Sequence, residues 1–255
     1  PGALGPPADP PAAPPLRRPP GPAGPAGARA GPGRTLAAAG LNVNLAPVLD
    51  VYERPGNFID AKQRSYGHDP RTVGLLTAAF TAAQAQEGVA GTAKHFPGLG
   101  TAPAGANTDE GPVTLADPLE ELRAVGEAPY PAALAAGARL VMLSWAAYPA
   151  LDAARPAGLS PVVVQQELRG RLGFTGVTVS DALEAGSLDA FGSTGERAVA
   201  AAAAGIDLIL CSARDAAQGE RAAAGLAAAL DDGTLDRTAF TGALARVDAL
   251  RAGLR

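Results

Sequence analysis

From about residue 34 onward, short and nearly unbroken apolar runs alternate with longer segments of helical spacing. Leu36–Gly40 reads as a helix end closed by glycine. Residues 42–48 (Asn-Val-Asn-Leu-Ala-Pro-Val) alternate as a strand does. Asp69-Pro70 places an N-cap before a proline at the first helical position and predicts a helix to about Glu87. A strand over 89–94, a helix over about 118–136 broken near Pro129, and a strand over 139–144 follow. Ser160-Pro161 predicts another helix, ending at Gly173. Then come a strand over 176–180, a helix over about 194–204, a strand over 206–210 and terminal helices over about 215–231 and 237–252.

Five short strands, each followed by helix and apolar nearly throughout, predict a parallel α/β sheet with right-handed crossovers, buried on both faces. Two closures compete: an open doubly wound sheet, and a (β/α)8 TIM-like barrel seen in part. No Gly-x-Gly-x-x-Gly opens a helix after the first strand and no phosphate-binding Gly-x-x-x-x-Gly-Lys occurs, so a nucleotide-binding sheet is disfavoured.

Composition divides the chain. Residues 1–33 hold 12 of the 24 prolines without apolar periodicity, and such a segment buries too little surface to offset chain entropy. The expected organisation is a disordered Pro/Gly/Ala-rich segment over 1–33 and one domain over 34–255. The first segment lacks the continuous apolar stretch of a signal peptide, and the compartment, cytoplasmic or exported, stays open. A net charge of −4 with 18% charged residues gives no sign of a nucleic-acid surface. The apolar runs are too short to span a membrane. Cys211 is the only cysteine, it follows Leu-Ile-Leu, and it reads as a small buried residue. No metal-ligand spacing is present, and no metal or organic cofactor is implied.

The chemistry-bearing residues collect at one structural address. In a barrel, functional groups project from the C-terminal ends of strands. Those positions hold Asp50, Lys94 with His95, Ser144 and Asp181 in turn, with Cys211 and Ser212 after the fifth strand. Positive charge elsewhere is almost entirely arginine, so a lysine beside a histidine marks a place where a compact ammonium is wanted rather than a planar fork. Carboxylates with a neighbouring cation and imidazole suit glycoside hydrolysis. Schiff-base chemistry at Lys94 remains an alternative on these residues alone.

Residues 44–50 (Asn-Leu-Ala-Pro-Val-Leu-Asp), Arg64-Ser-Tyr-Gly67 with Asp69-Pro70, Lys94-His-Phe-Pro-Gly98 and Val179-Ser-Asp-Ala-Leu183 occur in the order found in glycoside hydrolase family 3. The chain resembles the bacterial β-N-acetylglucosaminidase branch from about residue 36 to 252. The resemblance implies a retaining exo-glycosidase that removes terminal β-N-acetylglucosamine, including that of cell-wall fragments. Asp181 would be the nucleophile, Arg64, Lys94 and His95 would bind the sugar, and Asp50 would shape the pocket. Met142 is expected in the core, and Trp145 to stack on a sugar.

Three departures from the family pattern stand out. That branch carries a histidine acid/base in a mobile loop, within an Asp-Ser/Thr-His motif. Here Leu99–Leu115 has no histidine and Asn107-Thr108-Asp109 stands at the comparable place, which makes Asp109 the candidate proton donor and Glu110 the second. Ala182 stands where the nucleophile motif has a second acid. Proline-rich sequence occupies the place of the earlier strands and their Asp-x-Glu-Gly-Gly motif, so the implied barrel lacks its first strands. Exposed edges of that kind predict poor solubility or weak turnover for the chain alone. The competing readings are a β-glucosidase of the same family and a catalytically impaired sugar-binding domain. The implied partner is a small carbohydrate; the sequence does not specify an oligomeric state.

Overall fold

The computed structural model describes residues 31–254. The expected 1–33 segment lies outside these residues except for its end, where helix α1 begins at Gly31 and runs to Ala38. Strand β1 (Val43–Asn44) is shorter than the alternation predicts. Pro47 has no N–H to donate, so the ladder is interrupted there. The chain still follows its neighbour, with Thr92 N–H donating to Ala46 O at 2.9 Å and Leu49 N–H to Lys94 O at 2.6 Å. Helix α2 (Phe58–Ala61) is capped by Asn57, and α3 (Pro70–Gln86) by Asp69, whose carboxylate accepts from Thr72 N–H at 2.8 Å.

Strands β2 (Ala90–Phe96), β3 (Leu140–Leu143), β6 (Val177–Ala182) and β7 (Leu208–Leu210) complete a five-stranded sheet. Its order is β1-β2-β3-β6-β7, parallel throughout. Among the described residues β1 and β7 are each paired on one side. A separate antiparallel hairpin, β4 (Ala147–Tyr148) and β5 (Asp152–Pro156), was not predicted. The helix expected over 118–136 is a short α4 (Leu119–Glu121) that widens into π turns to Gly126, then α5 (Tyr130–Ala135) beyond Pro129. The helix after Ser160-Pro161 is π-wound over Val162–Arg171. Helices α6 (Thr194–Ala204), α7 (Ala216–Asp231) and α8 (Arg237–Ala252) follow the predicted spans closely.

The sheet is buried on both faces. Ala93, Val141 and Leu143 pack with helix residues such as Tyr130, Ala133, Val164 and Ala198 in the larger core. Leu140, Met142, Val177 and Val179 pack with Leu250 of α8 in a second core, so Met142 is a core residue as expected. Lys94, Met142 and Val179 are register partners and share that second face. Asp181, two residues beyond Val179, shares it too, because side chains alternate along a strand. Apolar contacts with α8 therefore fill this face toward the strand starts, and it becomes polar at the strand ends.

Candidate active site

Asp50 anchors the polar end. It is fully buried, and its Oδ2 lies 2.7 Å from His95 Nδ1. Its Oδ1 accepts from Leu99 N–H at 2.7 Å and from His95 N–H at 3.3 Å. Burial opposes the charge on this carboxyl, but His95 and the two backbone donors outweigh it and hold the pKa below the ordinary value. The Lys94–His95 and Phe96–Pro97 peptide bonds are cis.

The other nitrogen of His95, Nε2, stands 3.2 Å from Arg64 Nη2 and 4.0 Å from Asp181 Oδ2. A guanidinium can only donate. Nε2 is therefore the acceptor in the contact with Arg64, and the ring proton resides on Nδ1, facing Asp50. Arg64 itself is placed through the next residue, since Ser65 Oγ donates to Asp50 O at 2.7 Å. Asp50 thus orients the imidazole through its carboxylate and the arginine loop through its backbone carbonyl.

Asp181 closes strand β6 with its side chain 23% exposed, and Oδ1 accepts from Ala182 N–H at 2.8 Å. Solvent and a ligand can reach it. Lys94 is half-buried beside it. Burial, then the Arg64 guanidinium, lowers the Lys94 pKa, while Asp181 and Asp50 pull it back up.

Asp109 lies in a turn between β2 and α4, and the fold brings it to the same place. Partial burial of its carboxyl, then the charge of Asp181, raises its pKa; Arg64 and His95 oppose the rise and Glu184 adds to it. Glu110 is exposed and accepts from Asn107 Nδ2 at 3.0 Å.

Two strand-end residues are not part of the exposed site. Ser144 is fully buried, and its Oγ accepts from Ala146 N–H at 2.9 Å, which is turn bonding. Trp145 does not stack on a ligand as expected. It is 1% exposed, and its Nε1–H donates to Ala182 O at 2.9 Å. Burial, then Glu184, raises the Cys211 thiol, which disfavours a reactive thiolate. Among the described residues no group of three or more His, Cys, Asp and Glu is arranged to hold a metal.

The arrangement matches known proteins over most of the chain. Residues 29–250 match the model of the glycosyl hydrolase family 3 N terminal domain. The chain belongs to glycosyl hydrolase family 3. It is 48% identical over 219 residues to an uncharacterized secreted glycosyl hydrolase of Arthroderma benhamiae, covering 86% of this chain and 62% of that protein. It is 39% identical over 175 residues to a beta-hexosaminidase of Stenotrophomonas maltophilia, covering 68% of this chain and 50% of that one. The structure of a family 3 beta-N-acetylglucosaminidase from a Paenibacillus strain superposes with a TM-score of 0.81 at 35% identity, covering 87% of this chain and 41% of the other. The chain thus spans about half to three-fifths of the length of these curated relatives.

Within this family 3 domain, Asp50, Arg64, Lys94, His95, Asp109 and Asp181 lie within electrostatic or hydrogen-bonding reach of one another. Sequence reasoning missed Glu184. Its carboxylate accepts from Ser212 Oγ at 2.6 Å and Gln218 Nε2 at 2.8 Å, partners too distant in sequence to signal it. A cleft of about 1220 Å³ lies between α6, α7, α8 and β7, with apolar residues such as Ile209, Leu226 and Phe240. None of the six site residues lines it.

Proposed function

We propose that this domain cleaves terminal β-linked N-acetylglucosamine with retention of configuration. Asp181 acts as nucleophile and Asp109 as acid and base. The observation that carries this reading is the pairing of the accessible Asp181 with a second carboxyl, Asp109, whose proton affinity is raised beside it. A carboxylate nucleophile with a second carboxyl beside it that favours its proton is what double displacement requires. An Asp181 oxygen bonds to the anomeric carbon as the bond to the aglycone oxygen breaks, and that oxygen takes the Asp109 proton. Water then gives a proton to Asp109 and displaces Asp181, restoring both groups.

Lys94, Arg64 and His95 bind sugar hydroxyls, and Asp50 holds His95 in the required tautomer. The names of the beta-hexosaminidase and beta-N-acetylglucosaminidase relatives support the choice of sugar. We read the parallel sheet as part of a (β/α)8 barrel, supported by its β-then-α order and by polar groups at the strand ends.

The test is to incubate the full protein with 5-fluoro N-acetylglucosaminyl fluoride, which forms the glycosyl-enzyme faster than it hydrolyses. Mass spectrometry should find the adduct on the Asp181 peptide. Folded protein that binds N-acetylglucosamine but gives no adduct there would sink the proposal.

A further inference from the structure

The turn that carries Asp109 rests on the loop that follows the nucleophile strand. Gly186 N–H donates to Asp109 O at 2.9 Å, and Ser187 N–H donates to Thr108 O at 3.1 Å. The approach is close. A Cβ on Gly186 would stand 2.7 Å from Glu110 O and 3.1 Å from Asp109 O. Both are backbone atoms, which cannot swing aside as a flexible side chain does.

The supporting loop is itself fixed. Glu184 is gripped by Ser212 and Gln218, Leu183 N–H donates to Leu210 O at 2.9 Å, and Leu188 is fully buried. The turn is also braced internally, with Asn107 Oδ1 accepting from Asp109 N–H at 3.1 Å. Beyond it, Leu115 N–H and Ala147 O meet at 2.9 Å and stitch the segment to β4.

We infer that Gly186 is a positioning residue for the acid/base: its bare backbone is the seat that holds the Asp109 turn over Asp181. The inference rests on the assignment of Asp109 made above. It makes the proton donor part of a preformed site, seated on the same loop that begins with the nucleophile. A side chain at 186 lifts the turn and moves the carboxyl away from the leaving-group oxygen, without touching Asp181 or the sugar-binding residues.

Leaving groups separate this from general damage. An aryl glycoside whose phenol is a strong acid departs without a proton donor, whereas a weakly acidic phenol needs one. In the full protein, Gly186→Ala should lose about 10- to 100-fold in kcat/KM on a phenyl N-acetylglucosaminide, the lower part of what general-acid catalysis supplies, and less than about threefold on the dinitrophenyl one. The alkaline limb of the phenyl pH profile should also shift to lower pH, as the carboxyl leaves its crowded position.

Ser187→Pro is the second variant, in case Gly186→Ala does not fold; it removes the N–H that holds Thr108, together with a buried hydroxyl that makes no hydrogen bond among the described residues. Proline fits the first turn of the 3-10 helix over Gly186–Phe191. It should show the same leaving-group signature to a smaller degree. Equal losses on both substrates, or none, in the folded variants would overturn the inference. Asp109→Ala is the control. If its losses ignore the leaving group, Asp109 is not the acid and the parent reading fails. If they follow the leaving group while Gly186→Ala and Ser187→Pro do not, the seat alone fails.

Discussion

As the proposed acid and base, Asp109 would meet opposing demands from catalysis and stability. A carboxyl whose folded pKa is raised adds stability only while protonated, and that contribution is lost as pH rises through the folded value. At pH 7 the ionised form therefore works against the fold. Asp109→Asn should abolish proton donation, a loss of about 10²- to 10⁴-fold on substrates with poor leaving groups. The same variant should melt at the same temperature as the parent or higher at pH 7, with the difference vanishing in acid. Kinetics and thermal melts on one sample check both halves, and a lowered melting temperature at pH 7 would contradict the electrostatic account. Asp50 is the reverse case. Its pKa is lowered in the fold, so it stabilises above the ordinary carboxylate range and less as pH falls through its folded value. Asp50→Ala leaves the buried Leu99 and His95 N–H groups without their acceptor, at about 1–3 kcal/mol each. It also frees the His95 tautomer. Urea unfolding should show the stability loss, and turnover should fall with it.

At the scale of elements, the 3-10 turn over Ala157–Leu159, which follows the β4–β5 hairpin, packs against Trp145. Gly158 lies against the Trp145 ring so closely that a Cβ there would stand 2.5 Å from Cζ3. Trp145 in turn holds Ala182 O, next to Asp181, the proposed nucleophile. Gly158→Ala should cost about 1–3 kcal/mol through overpacking and lower turnover by displacing the end of β6. Trp145→Phe makes room, so the double variant should lose less stability than the sum of the singles; additive losses would show that the two residues do not compete for the same space. This element also marks where sequence reading stops. Asp50, Lys94, His95 and Asp181 were legible because each follows an apolar run, and the strand end alone fixes where such a residue sits. Trp145 obeys the same local pattern yet is buried, because the turn at Gly158 that lies against its ring comes from a later segment with no signal of that contact in the sequence. Glu184 was invisible for a related reason, since it acquires its role from Ser212 and Gln218 across two later elements. The two π-wound stretches were legible as helix but not as wide turns, because apolar spacing does not separate i+4 from i+5 bonding over so few residues.

For the molecule as a whole, the sheet is held between two helical faces, and among the described residues α8 is the sole helix contributing to the second core. Its apolar contacts there are few, with Leu250 the one fully committed residue and Val247 packed beside it. Asp207, just before β7, supplies the polar tie. Its carboxylate is fully buried and accepts from Arg246 of α8 at 2.7 Å, from Arg169 at 2.8 Å and from Thr178 N–H at 3.0 Å. Two strands, the π-wound helix and α8 therefore meet at one charge. Burial lowers the Arg169 pKa, and Asp207 acts against that effect. Removing the carboxylate is thus worse than losing one contact, because it leaves a buried guanidinium without its counter-ion. Asp207→Asn should cost about 3–5 kcal/mol, the penalty for breaking a buried pair from one side. Arg246→Met should cost far less, since Arg169 still compensates the carboxylate and the methionine stem keeps the apolar contact. Urea midpoints give the ranking, and hydrogen exchange along 237–252 shows whether α8 is the part released. If both variants lose stability equally, the charge at 207 is not what joins α8 to the sheet, and Leu250 with its neighbours must hold the helix alone.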